Sequence, residues 1–407
     1  GGRPKSGFSV PMAEWQRTIR ADAGRAVGLR RWALDVGRRI SPTVRPIRPK
    51  VLLTDAFGGI GGIAKFNRDL IHALAAMPEC RGIEAFPRLL QREAEPIPAG
   101  VRYRFDAARG KPAYTLAALR SACDGGRAHI VICGHLNLLP LAWLVGVFKR
   151  CPIVVVTHGI EAWTPHRSPL VRALLPRVDQ VVSVSRYTAQ RLSSWSGVPV
   201  ERIAILPNCI DLEAFEPRAR SREVEQRYGL QGRRVLLTVG RLAGHERYKG
   251  FDEVMEVLPG LLQQLPDLVY VIVGDGDDRA RLMQKAADLG VAGHVVFTGF
   301  VSEEEKRDLY ATADVFVMPG RGEGFGIVYL EAMAMGVPVI ASTRDGSREA
   351  VRDGELGVLV DPDRREELEA AIRKALELPR GRPAGLEYFS EQAFRERVAR
   401  LVREVAS

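Results

Sequence analysis

The sequence predicts an α/β protein of two doubly wound parallel-sheet domains facing a central cleft, with a basic helical extension at the N-terminus. Three observations carry this expectation. From Val51 onward, short β-rich apolar runs alternate with helical stretches, the pattern of strands whose crossovers cover both faces of a parallel sheet. The alternation runs twice, the second series beginning after ERIAILPNCIDLEAFEP, so that the join falls near Asp211. A chain of 407 residues is also too long for one ordinary core and comfortable for two.

In the first series VLLTDAF precedes the helical AKFNRDLIHALAAM, HIVIC precedes LPLAWLVGVFKR, PIVVVTH precedes PLVRALLPR, and QVVSVS precedes YTAQRLSSWS. In the second, RVLLTVGRL leads to a helix over about 251–264, LVYVIVGDG to one over about 278–289, and HVVFTGF to the helix containing EEEKRDLYATA. DVFVMPG then leads to a helix within PGRGEGFGIVYLEAMAMG, followed by the strands PVIAS and LGVLV. Ser390 is a suitable N-cap for a last helix, FSEQAFRERVARLVREVA. The expected organisation is an extension over 1–50, domains over 51–212 and 213–385, and a terminal helix over 386–407 that packs back towards the first domain.

Apolar residues at 46% and charged residues at 27% describe an ordinary globular chain. The net charge of +10 is local: residues 1–50 hold twelve Lys or Arg against three Asp or Glu. The remainder is nearly neutral, which argues against a nucleic-acid partner. The leading segment spaces Trp15, Ile19, Trp32 and Ile40 among arginines at roughly helical intervals. Such basic amphipathic helices suit an anionic membrane surface, or equally an arm packed on protein with its arginines solvated. Cys80, Cys123, Cys133, Cys151 and Cys209 are odd in number and scattered, as expected of reduced thiols in a cytoplasmic protein. The longest apolar run, Leu136 to Phe148, is broken by Asn137 and Pro140 and is too short to cross a bilayer.

Candidate site residues cluster at predicted strand ends, where ligands bind in open α/β sheets. Gly58, Gly59, Gly61 and Gly62 lie between the first strand and its helix, where backbone N–H groups can meet an anion; a tight turn is the plainer explanation. Gly59, Gly61 and Ala64 match the dinucleotide fingerprint only weakly, because Thr54 to Gly58 intervene. Arg241 and Lys249 in RLAGHERYKG can clamp a diphosphate and supply the neutralisation a metal often provides, against a merely solvated loop. Glu323 to Ile327 would present amides at a helix N-terminus, and Glu331 would lie about two turns into that helix on an apolar face. A carboxylate there needs hydrogen bonds, which the vicinal hydroxyls of a sugar or ribose would supply. His158, followed by Glu161, ends a first-domain strand; a structural histidine is the alternative. Asp275, Asp277 and Asp278 can hold a divalent ion, but N-capping by Asp277 or Asp278 explains them more simply.

With these residues in place, the chain from about Val51 resembles the retaining glycosyltransferases of family four, which have the GT-B fold of two facing Rossmann-like domains. The Glu-x7-Glu signature stands as EGFGIVYLE, and VVSVSRYTAQ, ILPNCID, VGRL…KG and EAMAMGVPVIAS appear in order. The resemblance implies a metal-independent transfer of a hexose from a nucleotide sugar, with no cofactor. It implies Arg241 and Lys249 at the donor diphosphate, with Gly61 and Gly62 approaching it. Glu323, with the amides of Gly324, Phe325, Gly326 and Ile327, would contact the donor sugar, and Glu331 the ribose. His158 would lie near the scissile bond, and Phe300 and Val301 at the nucleobase. The expected acceptor is a lipid-linked or polymeric glycan, placed at the cytoplasmic face of a membrane by the basic leading segment rather than by the resemblance; uridine and guanosine donors share these motifs, and the expectation leans to a UDP-hexose, with GDP-mannose close behind. The alternatives are an epimerase of the same fold and a non-catalytic nucleotide-sugar or glycan-binding protein. One departure is Cys209, where the family usually has glycine, expected to touch only a linker turn.

Overall fold

The computed structural model describes residues 46–406. The first domain contains strands β1 (Pro49–Leu53), β2 (Ile83–Pro87), β3 (Val101–Tyr103), β4 (Ile130–Cys133), β5 (Ile153–Thr157), β6 (Gln180–Ser183) and β7 (Ile203–Ile205). Its helices are α1 (Gly62–Ala76), α2 (Lys111–Cys123), α3 (Leu139–Lys149), α4 (Pro169–Leu174) and α5 (Arg186–Ser196). The second domain contains β8 (Arg234–Val239), β9 (Leu268–Val273), β10 (Val295–Gly299), β11 (Val315–Val317), β12 (Val339–Ser342) and β13 (Val358–Val360). Its helices are α6 (Arg222–Tyr228), α7 (Phe251–Leu262), α8 (Arg279–Asp288), α9 (Glu303–Thr312), α10 (Ile327–Ala334), α11 (Ser347–Ala350) and α12 (Arg365–Leu376); α13 (Glu391–Ala406) closes the chain.

Among the described residues the strands form a seven-stranded sheet of order β3-β2-β1-β4-β5-β6-β7 and a six-stranded sheet of order β10-β9-β8-β11-β12-β13. The strand pairings within both are parallel. Central strands such as IVVVT and LVYVIV are buried along their whole length, as a sheet covered on both faces requires. In each sheet the order reverses beside the first strand of its domain, β1 or β8, and loops after those strands meet at the switch point.

The first-domain edge departs from the pattern read in the sequence, which passed over β2, β3 and α2. IEAFP carries Glu84 in a buried strand, and its carboxylate accepts from Lys50 Nζ on β1 at 2.8 Å and from Arg104 at 2.9 Å. A buried charged pair across two strands defeats a hydrophobicity count. The sheet also starts just inside the expected 1–50 extension: Ile47 bridges Cys80 and β1 begins at Pro49. The basic helices expected further upstream lie outside the described residues.

Helix α13 packs on α1, with Phe394 edge-on to Phe66 at 5.6 Å and Arg403 paired with Glu79. Ser390 Oγ accepts from the Ala393 amide at 3.2 Å, the expected cap. The linker is held by the same elements, since Ile210 bridges Ser390. Cys209 does more than occupy a turn. It is buried, its Sγ lies 3.4 Å from Asp69 Oδ2, and its carbonyl accepts from Lys65 Nζ at 3.3 Å, so it ties the linker to α1. All five cysteines are free. Among the described residues no helix is long and apolar enough to cross a membrane.

Candidate functional site

The loops after β5 and β11 bring the two domains into contact. A Cβ built on Gly324 would lie 2.0 Å from the His158 carbonyl oxygen, and one on Gly346 would lie 2.1 Å from the Gly324 oxygen. Both distances are far inside van der Waals contact, so only glycine lets these three segments stack. Ser185 Oγ, at the start of α5, donates to the Gly324 carbonyl at 2.7 Å. Glu349 on α11 completes the junction by accepting from the amides of Arg186 and Tyr187, both at 2.8 Å. It thus caps a first-domain helix from the second domain.

Glu323 is adjacent to this junction. Its carboxylate accepts from Lys249 Nζ at 3.2 Å. Burial alone would push the Lys249 ammonium down, but Glu323, Glu246 and the neighbouring Tyr248 together hold it above its ordinary value. Arg241, with its side chain 67% exposed, pairs with the largely buried Glu246. Of the cations in the loop after β8, Lys249 therefore lies deep and Arg241 at the rim. The Glu323 amide donates to Asp345 Oδ2 at 2.9 Å, and the Gly346 amide to the Glu323 carbonyl at 2.8 Å. Asp345 is fully buried, and burial pushes its carboxyl up to about 6, with Glu323 adding repulsion.

Glu331 is 5% exposed and lies one turn, not two, into its helix, because α10 starts at Ile327 with Gly326 as N-cap at φ 90°. Its carboxylate does not wait for a ligand hydroxyl. It accepts from Lys306 Nζ at 3.1 Å and from the buried Tyr310 hydroxyl at 2.9 Å. A carboxylate has about four lone-pair directions, so acceptor capacity remains. Burial would lower the Lys306 ammonium, and Glu331 and Glu303 raise it instead.

Gly61 is the N-cap of α1 at φ 96°, and a Cβ there would meet nothing within 4 Å, as in an open loop at a helix N-terminus. Gly62 faces Ile327 across the domains, with a Cβ-to-Cδ1 distance of 3.9 Å. His158 Nε2 lies 2.9 Å from the Gly134 carbonyl, which can only accept, so Nε2 carries the proton and Nδ1 is left as an acceptor. Burial lowers the His158 imidazole below its ordinary value, against the pull of Glu161. Glu161 Oε1 accepts from the His158 and Gly159 amides. Phe300 is 76% exposed after β10, and Val301 is half-buried.

The aspartates after β9 have other duties. Asp278 occupies the N-cap position of α8 without capping; its carboxylate pairs with Arg281 and Arg247 instead. Asp277 accepts from the Gly244 amide at 2.8 Å, and Asp275 from Gly276 at 2.9 Å. Among the described residues no group of three or more His, Cys, Asp or Glu is arranged to hold a metal ion.

Sequence reasoning missed Asp345, Lys306, Tyr310, Glu246 and Glu349. For Lys306 and Tyr310 a signal existed, since a four-residue spacing puts both on one face of EEEKRDLYATA. Asp345 and Glu349 had none, because their partners are 22 and about 160 residues away.

Two facing Rossmann-like sheets, with cations and carboxylates gathered at their carboxyl ends, define the GT-B class. The family described as "Glycosyltransferase Family 4" matches residues 60–214, and "Glycosyl transferases group 1" matches residues 221–395; the chain belongs to the family-four glycosyltransferases. It is 41% identical over 260 residues to the GDP-mannose-dependent alpha-(1-6)-phosphatidylinositol monomannoside mannosyltransferase of Mycolicibacterium smegmatis, covering 59% of this chain and 66% of that one. The Mycobacterium tuberculosis (H37Rv) protein of the same name is 38% identical over 237 residues, covering 55% and 59% respectively. The chain thus spans about three fifths to two thirds of these relatives' length. Anabaena HepE in complex with UDP-glucose superposes with a TM-score of 0.67 over 88% of this chain and 100% of that chain, at 19% identity.

Proposed function

We propose that this chain is a retaining, metal-independent glycosyltransferase that moves a hexose from a nucleotide sugar to a glycolipid acceptor. The observation that carries the reading is the pairing of the two glutamates of one glycine-rich segment with lysines from two other loops or helices, Glu323 with Lys249 and Glu331 with Lys306. Such an arrangement presents fixed charges to a ligand with an anionic middle and hydroxyl-rich ends, which is what a nucleotide sugar is.

In this reading Arg241 and Lys249 hold the diphosphate and stabilise it as it departs, with the Gly61 and Gly62 amides approaching it from the first domain. Glu323 and the amides of Gly324 to Ile327 orient the sugar, Glu331 uses its remaining acceptor capacity on the ribose, and Phe300 and Val301 seat the base. The neutral His158 offers Nδ1 to a sugar hydroxyl. In a front-face route the departing phosphate oxygen takes the acceptor's proton, so positioning replaces a protein base. The sequence alone leaned towards a UDP-hexose. The relatives named above, which are GDP-mannose-dependent phosphatidylinositol monomannoside mannosyltransferases, move the preference to GDP-mannose, with a phosphatidylinositol-type acceptor.

Calorimetric titration of the full chain with GDP-mannose, UDP-glucose and ADP-glucose, with and without EDTA, tests this. GDP-mannose is expected to bind, unaffected by EDTA and weakened at least tenfold by Glu331→Ala. No binding of any nucleotide sugar would remove the reading, and dependence on divalent ion would remove its metal-independent part. NMR of the first-formed product anomer decides retention.

A further inference from the structure

Arg88 immediately follows β2 at the carboxyl edge of the first sheet. Its amide donates to the Leu53 and Thr54 carbonyls at 3.1 and 3.0 Å, which pins it beside the end of β1. The residue is half-buried, and its Nε is fully buried without a hydrogen-bond partner. Among the described residues its guanidinium has no hydrogen-bond or ion-pair partner. The other cations of the cleft differ: Arg241, Lys249 and Lys306 each hold a carboxylate, and Arg68 holds the Ala56 carbonyl at 3.0 Å.

The groups facing Arg88 do not neutralise it. Asp55, after β1, feels its charge but lies beyond ion-pair distance, and burial raises the Asp55 carboxyl. His135, after β4, is driven down to about 4 by burial, with His158, Arg88 and His166 adding repulsion against the pull of Glu161, so it remains neutral near pH 7. A permanent fork of donors, partly dehydrated and without an acceptor, is costly to keep and matches the geometry of a phosphate. Beside it are exposed apolar side chains. Leu89 and Leu90 follow directly, and Ile60 is tethered next to them because its amide donates a hydrogen bond to Gln91 Oε1 at 2.9 Å.

We propose that Arg88 is the receptor for the phosphate of a lipid headgroup, with Ile60, Leu89 and Leu90 meeting the apolar side of that lipid. This names the acceptor end of the cleft and rests on the glycosyltransferase reading. A donor diphosphate is not the intended ligand, because that is assigned to Arg241 and Lys249.

The test uses the full chain saturated with GDP, which occupies the donor side, and titrates it with myo-inositol 1-phosphate and with myo-inositol. The phosphate ester is expected to bind at least tenfold more tightly. Arg88→Gln should erase that preference and Arg88→Lys restore part of it, while the Kd for GDP stays unchanged in both and reports that they fold. In parallel, phosphatidylinositol-containing vesicles should retain more wild-type chain than Arg88→Gln chain, the two sharing the same basic segment over residues 1–50. Equal affinity for the two polyols, or a preference kept by Arg88→Gln, overturns the phosphate site. A preference for the ester with equal retention of the two chains on phosphatidylinositol-containing vesicles overturns the lipid source. Failure of GDP itself to bind overturns the underlying reading instead, which keeps the two failures distinct.

Discussion

The two sides of the cleft satisfy their charges differently. On the second-domain side each ionic group has a protein partner: Glu323 has Lys249, Glu331 has Lys306 and Tyr310, and Arg241 has Glu246. On the first-domain side Arg88 stands unpaired among the described residues, His135 and His158 are held neutral by burial, and Asp55 is raised. A side built this way is either preorganised or incomplete. The first condition suits a ligand part whose charge changes during reaction, because fixed dipoles need no rearrangement at the transition state. The second suits a group that binds and leaves with its charge intact.

The largest expected effect removes the preorganised side. Lys249→Met deletes the buried cation beside Glu323, and kcat for sugar transfer, followed with labelled donor, should fall about 10²- to 10³-fold. Glu323→Gln, which keeps the shape and removes the charge, should cost a similar factor. If either variant keeps wild-type kcat, the pair is structural and the contrast between the two sides collapses.

A second prediction sharpens the comparison through pH. The Asp345 carboxyl sits at about 6 in the folded chain against an ordinary 3.8, so the folded state holds a proton that the unfolded chain has released. Asp345's own contribution to stability therefore falls as pH rises from about 4 to about 6 and is level above that, by about 3 kcal/mol at 1.36 kcal/mol per unit. The difference between denaturant melts of the wild type and Asp345→Asn across this window should show that slope. A difference without slope would mean that the carboxylate beneath Glu323 is better stabilised than its burial implies.

The smallest effect concerns Glu331. Glu331→Ala leaves Lys306 with Glu303 at 2.8 Å as its remaining carboxylate and leaves the buried Tyr310 hydroxyl without its closest partner. The expected loss is about 2 kcal/mol, read as a lower denaturation midpoint, with Glu331→Gln losing less. Full stability in Glu331→Ala would assign the residue to ligand binding alone.

Much of the second domain was legible because its signals are contiguous. EGFGIVYLE places both glutamates and the close-contact glycine within nine residues, and the helices expected over 251–264 and 278–289 form over Phe251–Leu262 and Arg279–Asp288. The first domain was less legible. Arg88, Asp55, His135 and His158 come from the ends of four different strands, and no window of sequence contains them together. Strand β2 and the edge strand β3 escaped notice because one hides a buried ion pair and the other has three residues, mostly accessible.

By itself the sequence determined the alternation of strand and helix, the division into two domains, and the positions where glycine and charge coincide, since each follows from local periodicity and backbone freedom. Only the tertiary structure decided the partners: that Lys306 and Tyr310 receive Glu331, that Asp345 supports Glu323, and that Glu349 caps a helix of the other domain. Hydrogen bonds and ion pairs depend on distances of a few ångströms between segments up to about 160 residues apart. Those distances are set by how the sheets twist and pack.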